Sequence, residues 1–137
     1  MKRIADQIES YDYYIAITRG GLMPTLLLSQ ITGQKNIDTI CLSSYDGKNQ
    51  QNLVYNKKDY LHIMGKNILL IDDLADSGKT FVEAKKILEA FNPKRIDTCA
   101  IYVKEHSIFI PDYFIYKVGD QWLDFKYEQN QQINSFV

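Results

Sequence analysis

Two cysteines, three prolines, one tryptophan and almost no net charge set the first limits on this 137-residue chain. Cys41 and Cys99 are too few and too far apart for a zinc site or a disulfide framework. Both stand in apolar, strand-like runs, where buried free thiols are expected. A formal net charge of -1 gives no basic field for nucleic acid. No apolar run approaches the roughly 20 residues that a membrane-crossing helix needs, and the amphipathic N-terminus MKRIADQIES does not resemble a signal peptide. These absences predict a cytosolic protein of one domain, residues 1–137.

What is present alternates between strand and helix patterns. Residues 2 to 10 read as a short helix with Ile4 and Ile8 on one face. Tyr13 to Thr18 is an apolar, β-rich strand, and Leu22 to Ile31 a helix with Pro24 in its first turn and Gly33 at its end. Ile37 to Tyr45 reads as a strand, and the polar stretch 46–60 as a long mobile loop or a loose hairpin. Asn67 to Ile71 is the next strand and Thr80 to Phe91 a helix closed by Asn92-Pro93. Ile96 to Val103 and Tyr113 to Val118 are further strands, and residues 129–137 form a polar tail. Strands separated by helices predict an α/β fold with a parallel sheet and ligand at the carboxyl ends of the strands.

The richest segment is Lys66 to Thr80, KNILLIDDLADSGKT. An apolar run drives into Asp72 and Asp73, then Asp76, then Ser77, Gly78, Lys79 and Thr80 at the start of a helix. Burying carboxylates is costly unless hydroxyls or a cation answer their charge. The small residues and free N–H groups of a helix start favour an anion. A sugar phosphate with a bound metal meets both demands. A nucleoside-triphosphate P-loop does not fit, because it needs a glycine five places before Gly78, where Asp73 stands.

That segment resembles the sugar-phosphate signature of the type I phosphoribosyltransferases, which use phosphoribosyl pyrophosphate (PRPP). With ITRGGLMPTLLLSQITG at 17–33, DTICLSSYDGKNQ at 38–50, Lys104 after a strand and Gln121-Trp122, the chain is similar to the bacterial xanthine-guanine branch over roughly residues 12 to 128. The resemblance implies a parallel-sheet fold with flanking helices, a flexible lid loop at 46–60 and a small C-terminal base-binding hood at 104–128. It implies transfer of phosphoribose from PRPP to N9 of guanine, xanthine or hypoxanthine, with Mg2+, in a homo-oligomer of two or four copies.

The resemblance implies the following roles, residue by residue. Asp72 and Asp73 hold the ribose hydroxyls, with Asp73 the metal contact, and Asp76 with Ser77, Gly78, Lys79 and Thr80 forms the loop for the 5′-phosphate. Asp76 is the catalytic group, accepting or orienting the proton at purine N7. An aspartate has an ordinary pKa of about 3.9, so burial or neighbouring carboxylates are expected to make it more basic. Arg19 and Gly20 face pyrophosphate, and Ser43, Ser44 and Tyr45 belong to the lid. Lys104 donates to the 6-oxo group, which adenine lacks. Trp122 stacks on the base, Leu123 meets its edge, and Glu128 lies near the 2-position.

The sequence departs from the branch in four places. Gln51 stands where an arginine commonly reaches pyrophosphate, with Lys57 or Lys58 as candidate substitutes. Glu128 replaces an aspartate, Lys79 a small residue, and the N-terminal helix is short. A regulatory PRPP-binding protein of the same fold is the alternative reading. Asp76, Lys104 and Trp122 favour the enzyme. The lid sequence and the Lys104/Trp122 pair argue against adenine or pyrimidine as substrate.

Overall fold

The computed structural model describes residues 1–44, 53–55 and 58–119. Its centre is β4 (Asn67–Ala75), whose run Ile68–Leu69–Leu70–Ile71 is wholly buried. Alternate side chains of a strand point to opposite faces, so a continuous apolar run requires cover on both sides. Ile68 and Leu70 join one core cluster with Phe81, Ala84 and Leu88 of α3 (Lys79–Glu89). Leu69 and Ile71 join a second, with Ile4 of α1 (Lys2–Ala5) and Leu28 of α2 (Leu22–Thr32).

Around β4 lie β1 (Tyr13–Thr18), β2 (Ile37–Ser44), β3 (Leu53–Tyr55), β5 (Arg95–Lys104) and β6 (Tyr113–Val118). The sheet order is β3-β2-β1-β4-β5-β6. Its pairs are parallel except β2–β3, an antiparallel edge in which Leu42 faces Tyr55 and Ser44 faces Leu53. The order reverses direction between β1 and β4. An α/β sheet opens its ligand crevice at such a switch, at the carboxyl ends of the strands. Among the described residues no helix is long and apolar enough to cross a membrane.

Several expected boundaries move. β4 does not stop at Ile71: Asp72, Leu74 and Ala75 pair with Ala100, Tyr102 and Val103. Ladder pairing is a backbone property, so polar side chains do not end it. Ala75 and Val103 join the same core as Ile68 and Ala100, so strict alternation of faces breaks across the acids. The N-terminal helix ends at Ala5 rather than residue 10, because the chain must straighten to enter β1. Asp12 fixes that entry, its N–H donating to the Asn67 carbonyl at 2.8 Å and its carboxylate accepting from Asn67 N–H at 2.7 Å. Helix α2 ends as expected at Gly33, whose φ of 81° lets its N–H reach the Ser29 carbonyl. Helix α3 starts one residue early and stops at Glu89.

Within the stretch 46–60, β3 supplies the returning limb of a hairpin, the second of the two expected forms. Its base is anchored by Tyr60, whose hydroxyl donates to the Thr39 carbonyl at 2.7 Å. Cys99 is fully buried and Cys41 partly so.

Candidate functional site

Of the predicted residues, Arg19, Gly20, Asp72, Asp73, Asp76 to Thr80 and Lys104 lie at or just beyond the carboxyl ends of β1, β4 and β5. Asp72 and Asp73 are 8% and 7% exposed, and the Asp73 N–H donates to Asp72 Oδ1 at 2.8 Å. They lie inside β4, not beyond it, which correct the expected strand end. The register pairs Ala16 of β1 with Ile71, so the Arg19-Gly20 turn follows β1 on the level of the acids. The Thr18–Arg19 peptide bond is cis. A β-carbon at Gly20 would lie 2.5 Å from Asp73 Oδ1 and 2.8 Å from its Cγ, so the carboxylate rests directly on that glycine. Arg19 is exposed beside it.

Beyond Ala75 the chain turns outward. Of the two conditions expected for Asp76, burial or neighbouring carboxylates, burial is not found: its side chain is 54% exposed. The cause is local, since β4 ends at Ala75 and Asp76 is the first residue of the loop. Gly78 then adopts φ 90° as the N-cap of α3, a conformation that suits glycine. It offers the helix no capping side chain, and no acid occupies the first turn. The Ser77 hydroxyl accepts from Lys79 N–H at 3.3 Å. Leading N–H groups of an 11-residue helix, without an acidic cap, suit a phosphate. Ser77, Gly78, Lys79 and Thr80 are thus assembled as one loop at a helix start.

Lys104 ends β5 one residue past the Ala75–Val103 pair, beside the turn at Asp76. It is only 4% exposed, so it is not a solvated surface charge. The segment after it folds back over the Asp76–Thr80 loop and α3 by three ties. His106 Nε2 lies 2.9 Å from Asp76 Oδ1. Ile108 N–H donates to the Ser77 carbonyl at 2.9 Å. Phe109 stacks on Phe81, with ring centroids 5.2 Å apart and planes at 9°. A β-carbon at Gly78 would meet Ser107 Oγ and Phe109 N, each at 2.7 Å, so the segment rests on the glycine as well.

His106 was not singled out by sequence reasoning. Its signals were its place two residues after Lys104 and its being one of two histidines. Lys58, a candidate substitute for the missing arginine, instead pairs with Asp38, whose other oxygen meets His62 Nε2 at 2.9 Å. Ser43 and Ser44 lie on β2 opposite Val54 and Leu53. Tyr45, Gln51, Lys57, Trp122, Leu123 and Glu128 lie outside the described residues.

Asp72 and Asp73 fit magnesium by their chemistry: adjacent carboxylates, hard oxygen donors, almost buried, with one resting in a glycine cradle. Among the described residues no three His, Cys, Asp or Glu side chains gather as a metal cage. Magnesium usually keeps several waters and takes one or two carboxylates plus substrate phosphates.

Comparison with known proteins agrees with this geometry. The family model described as phosphoribosyl transferase domain matches residues 1–131. A purine phosphoribosyltransferase from Pyrococcus horikoshii is similar in structure, with a TM-score of 0.78 at 24% identity over 93% of this chain and 83% of that one. The xanthine-guanine-hypoxanthine phosphoribosyltransferase of Helicobacter pylori gives 0.78 at 22% identity, over 99% and 88%. A hypoxanthine-guanine phosphoribosyltransferase from Bacillus anthracis gives 0.72 at 23%, over 85% and 73%. With a family model matching nearly the whole chain, the chain belongs to the phosphoribosyl transferase domain family.

Proposed function

We propose that this protein is a purine salvage enzyme, transferring the phosphoribosyl group of PRPP to N9 of guanine, xanthine or hypoxanthine. The products are the nucleoside 5′-monophosphate and pyrophosphate. The observation that carries this reading is the buried Asp72–Asp73 pair, with Asp73 resting on Gly20, leading into the Ser77–Thr80 helix start. One end suits ribose hydroxyls and the other a 5′-phosphate. Relatives named for purine and hypoxanthine-guanine transfer support the choice of base.

In the reaction the C1′–oxygen bond to pyrophosphate breaks and the C1′–N9 bond forms, through an oxocarbenium-like state. Asp72 and Asp73 fix the ribose hydroxyls, and Ser77 to Thr80 hold the 5′-phosphate. Arg19 and the Gly20 backbone receive the departing pyrophosphate. Asp73 is the metal contact; magnesium, when bound, neutralises the leaving group. Asp76 accepts the proton from purine N7, and its exposure places it toward solvent, where the base must enter. Lys104 donates to the 6-oxo oxygen. Its burial favours this role, because a desolvated donor penalises a base that offers no acceptor. Trp122, Leu123 and Glu128 complete the base pocket, and Ser43, Ser44 and Tyr45 lead into the 46–60 lid that covers the substrates. The working form is a cytosolic homo-oligomer of two or four copies.

The test is monophosphate formation from PRPP and Mg2+ with guanine, xanthine, hypoxanthine, adenine and uracil offered singly, with Asp76→Asn as control. Product from oxopurines alone, lost in the control, supports the reading. No product from any base while PRPP still binds would replace it with the regulatory alternative.

A further inference from the structure

We propose that His106 is a positioning residue that aims the Asp76 carboxylate at the purine. The inference rests on the proton-accepting role given to Asp76 above. Among the described residues, His106 is the hydrogen-bond partner of that carboxylate. An ionised carboxylate only accepts hydrogen bonds, so with Asp76 ionised, as its proton-accepting role requires, His106 Nε2–H is the donor to Oδ1 across 2.9 Å. Oδ2 is left to take the proton from the base.

An exposed aspartate has several staggered rotamers open to it, and one that must meet a single ring nitrogen gains from having them restricted. The restriction costs little here, because the backbone of both partners is already fixed. Asp76 stands between the end of β4 and Ser77, whose carbonyl accepts from Ile108 N–H. His106 stands between Glu105, whose N–H donates to the Val118 carbonyl at 2.9 Å, and Ser107, whose N–H returns to the Lys104 carbonyl at 3.0 Å. Ser107 is held in turn by its hydroxyl, which donates to the Phe109 carbonyl at 2.6 Å, while Phe109 stacks on Phe81. The imidazole is thus delivered to Asp76 by a closed turn tied to the phosphate loop on one side and to β6 on the other. A proton acceptor must lie within hydrogen-bond reach of the proton it takes, and this turn sets that reach from outside the acid's own loop.

The shape of histidine supplies the test. From the backbone outward, the amide nitrogen of glutamine reaches about as far as Nε2, and that of asparagine only as far as Nδ1. His106→Ala, His106→Asn and His106→Gln are compared with wild type in steady-state transfer from PRPP to hypoxanthine, with PRPP affinity measured by calorimetry. Alanine and asparagine are expected to lower kcat about tenfold while glutamine stays within about threefold of wild type, a part of the usual worth of a positioned base. PRPP affinity is expected to be unchanged in all three. Equal losses in the three variants, a change in PRPP affinity with kcat intact, or an alanine variant as fast as wild type would overturn the inference. If wild type itself turns over no base, the underlying reading fails, and this one with it.

Discussion

Gly20, in the turn after β1, touches Asp73 of β4: a β-carbon on the glycine would sit 2.5 Å from Oδ1 of the acid. The atoms in the way are the far end of one side chain, so Gly20→Ala is expected to fold. The displaced carboxylate should bind PRPP with Mg2+ about tenfold more weakly, the loss of one charge-assisted contact. Calorimetry with and without the metal checks this, and unchanged affinity would separate Asp73 from the ribose-metal site.

The neighbouring glycine behaves differently. A β-carbon at Gly21 would meet backbone, the Ile71 carbonyl at 2.3 Å and the Ile17 carbonyl at 2.7 Å. Backbone within a sheet cannot rotate away. Gly21→Ala is expected to lose about 1–3 kcal/mol or more of stability by overpacking, whatever it does to activity. Urea unfolding of the two glycine variants side by side measures the contrast.

Lys104→Met keeps the apolar stem of the buried lysine and removes its donor. The KM for hypoxanthine should rise about tenfold or more, the value of a hydrogen bond from a charged group, with PRPP affinity little changed. Steady-state kinetics with each substrate varied in turn shows this. An equal weakening of PRPP would move Lys104 from the base to the phosphates.

Cys99 gives a pH dependence. Burial among apolar neighbours raises its thiol from 9.0 to about 12. In that interval the unfolded thiol ionises and the folded one does not, so the unfolded chain binds fewer protons and stability falls as pH rises. The contribution is intact below about pH 9 and is progressively lost as pH rises toward about 12. Burial also raises Tyr11 and Tyr14, which adds to the trend. Urea midpoints taken between about pH 8 and 11 should decline, and Cys99→Ala should decline less steeply. A thiol reagent should modify Cys41 before Cys99 in the folded protein.

Much of the site could be read from local order. Asp72, Asp73, Asp76 and Ser77 to Thr80 are neighbours in the chain, so their chemistry shows in a single window. Gly33 ended its helix where its backbone freedom said it should. The length of β4 was not legible, because pairing with β5 depends on residues about 30 positions away and not on the acids' own propensity. His106 was hidden for the same reason: its partner is 30 positions away, and only the fold-back of the turn after β5 joins them. The pairing of Lys58 with Asp38 likewise follows from the return of the hairpin.

The fold-back has a consequence for how this chain can vary. Surface loops usually accept added or missing residues freely. Here Asp76, Ser77 and Phe81 meet His106, Ile108 and Phe109 in matching order, like teeth on two racks. One residue inserted between Lys104 and His106 would advance that rack and carry the imidazole away from Asp76. The turn is therefore a ruler, in which residue number carries as much of the design as residue type.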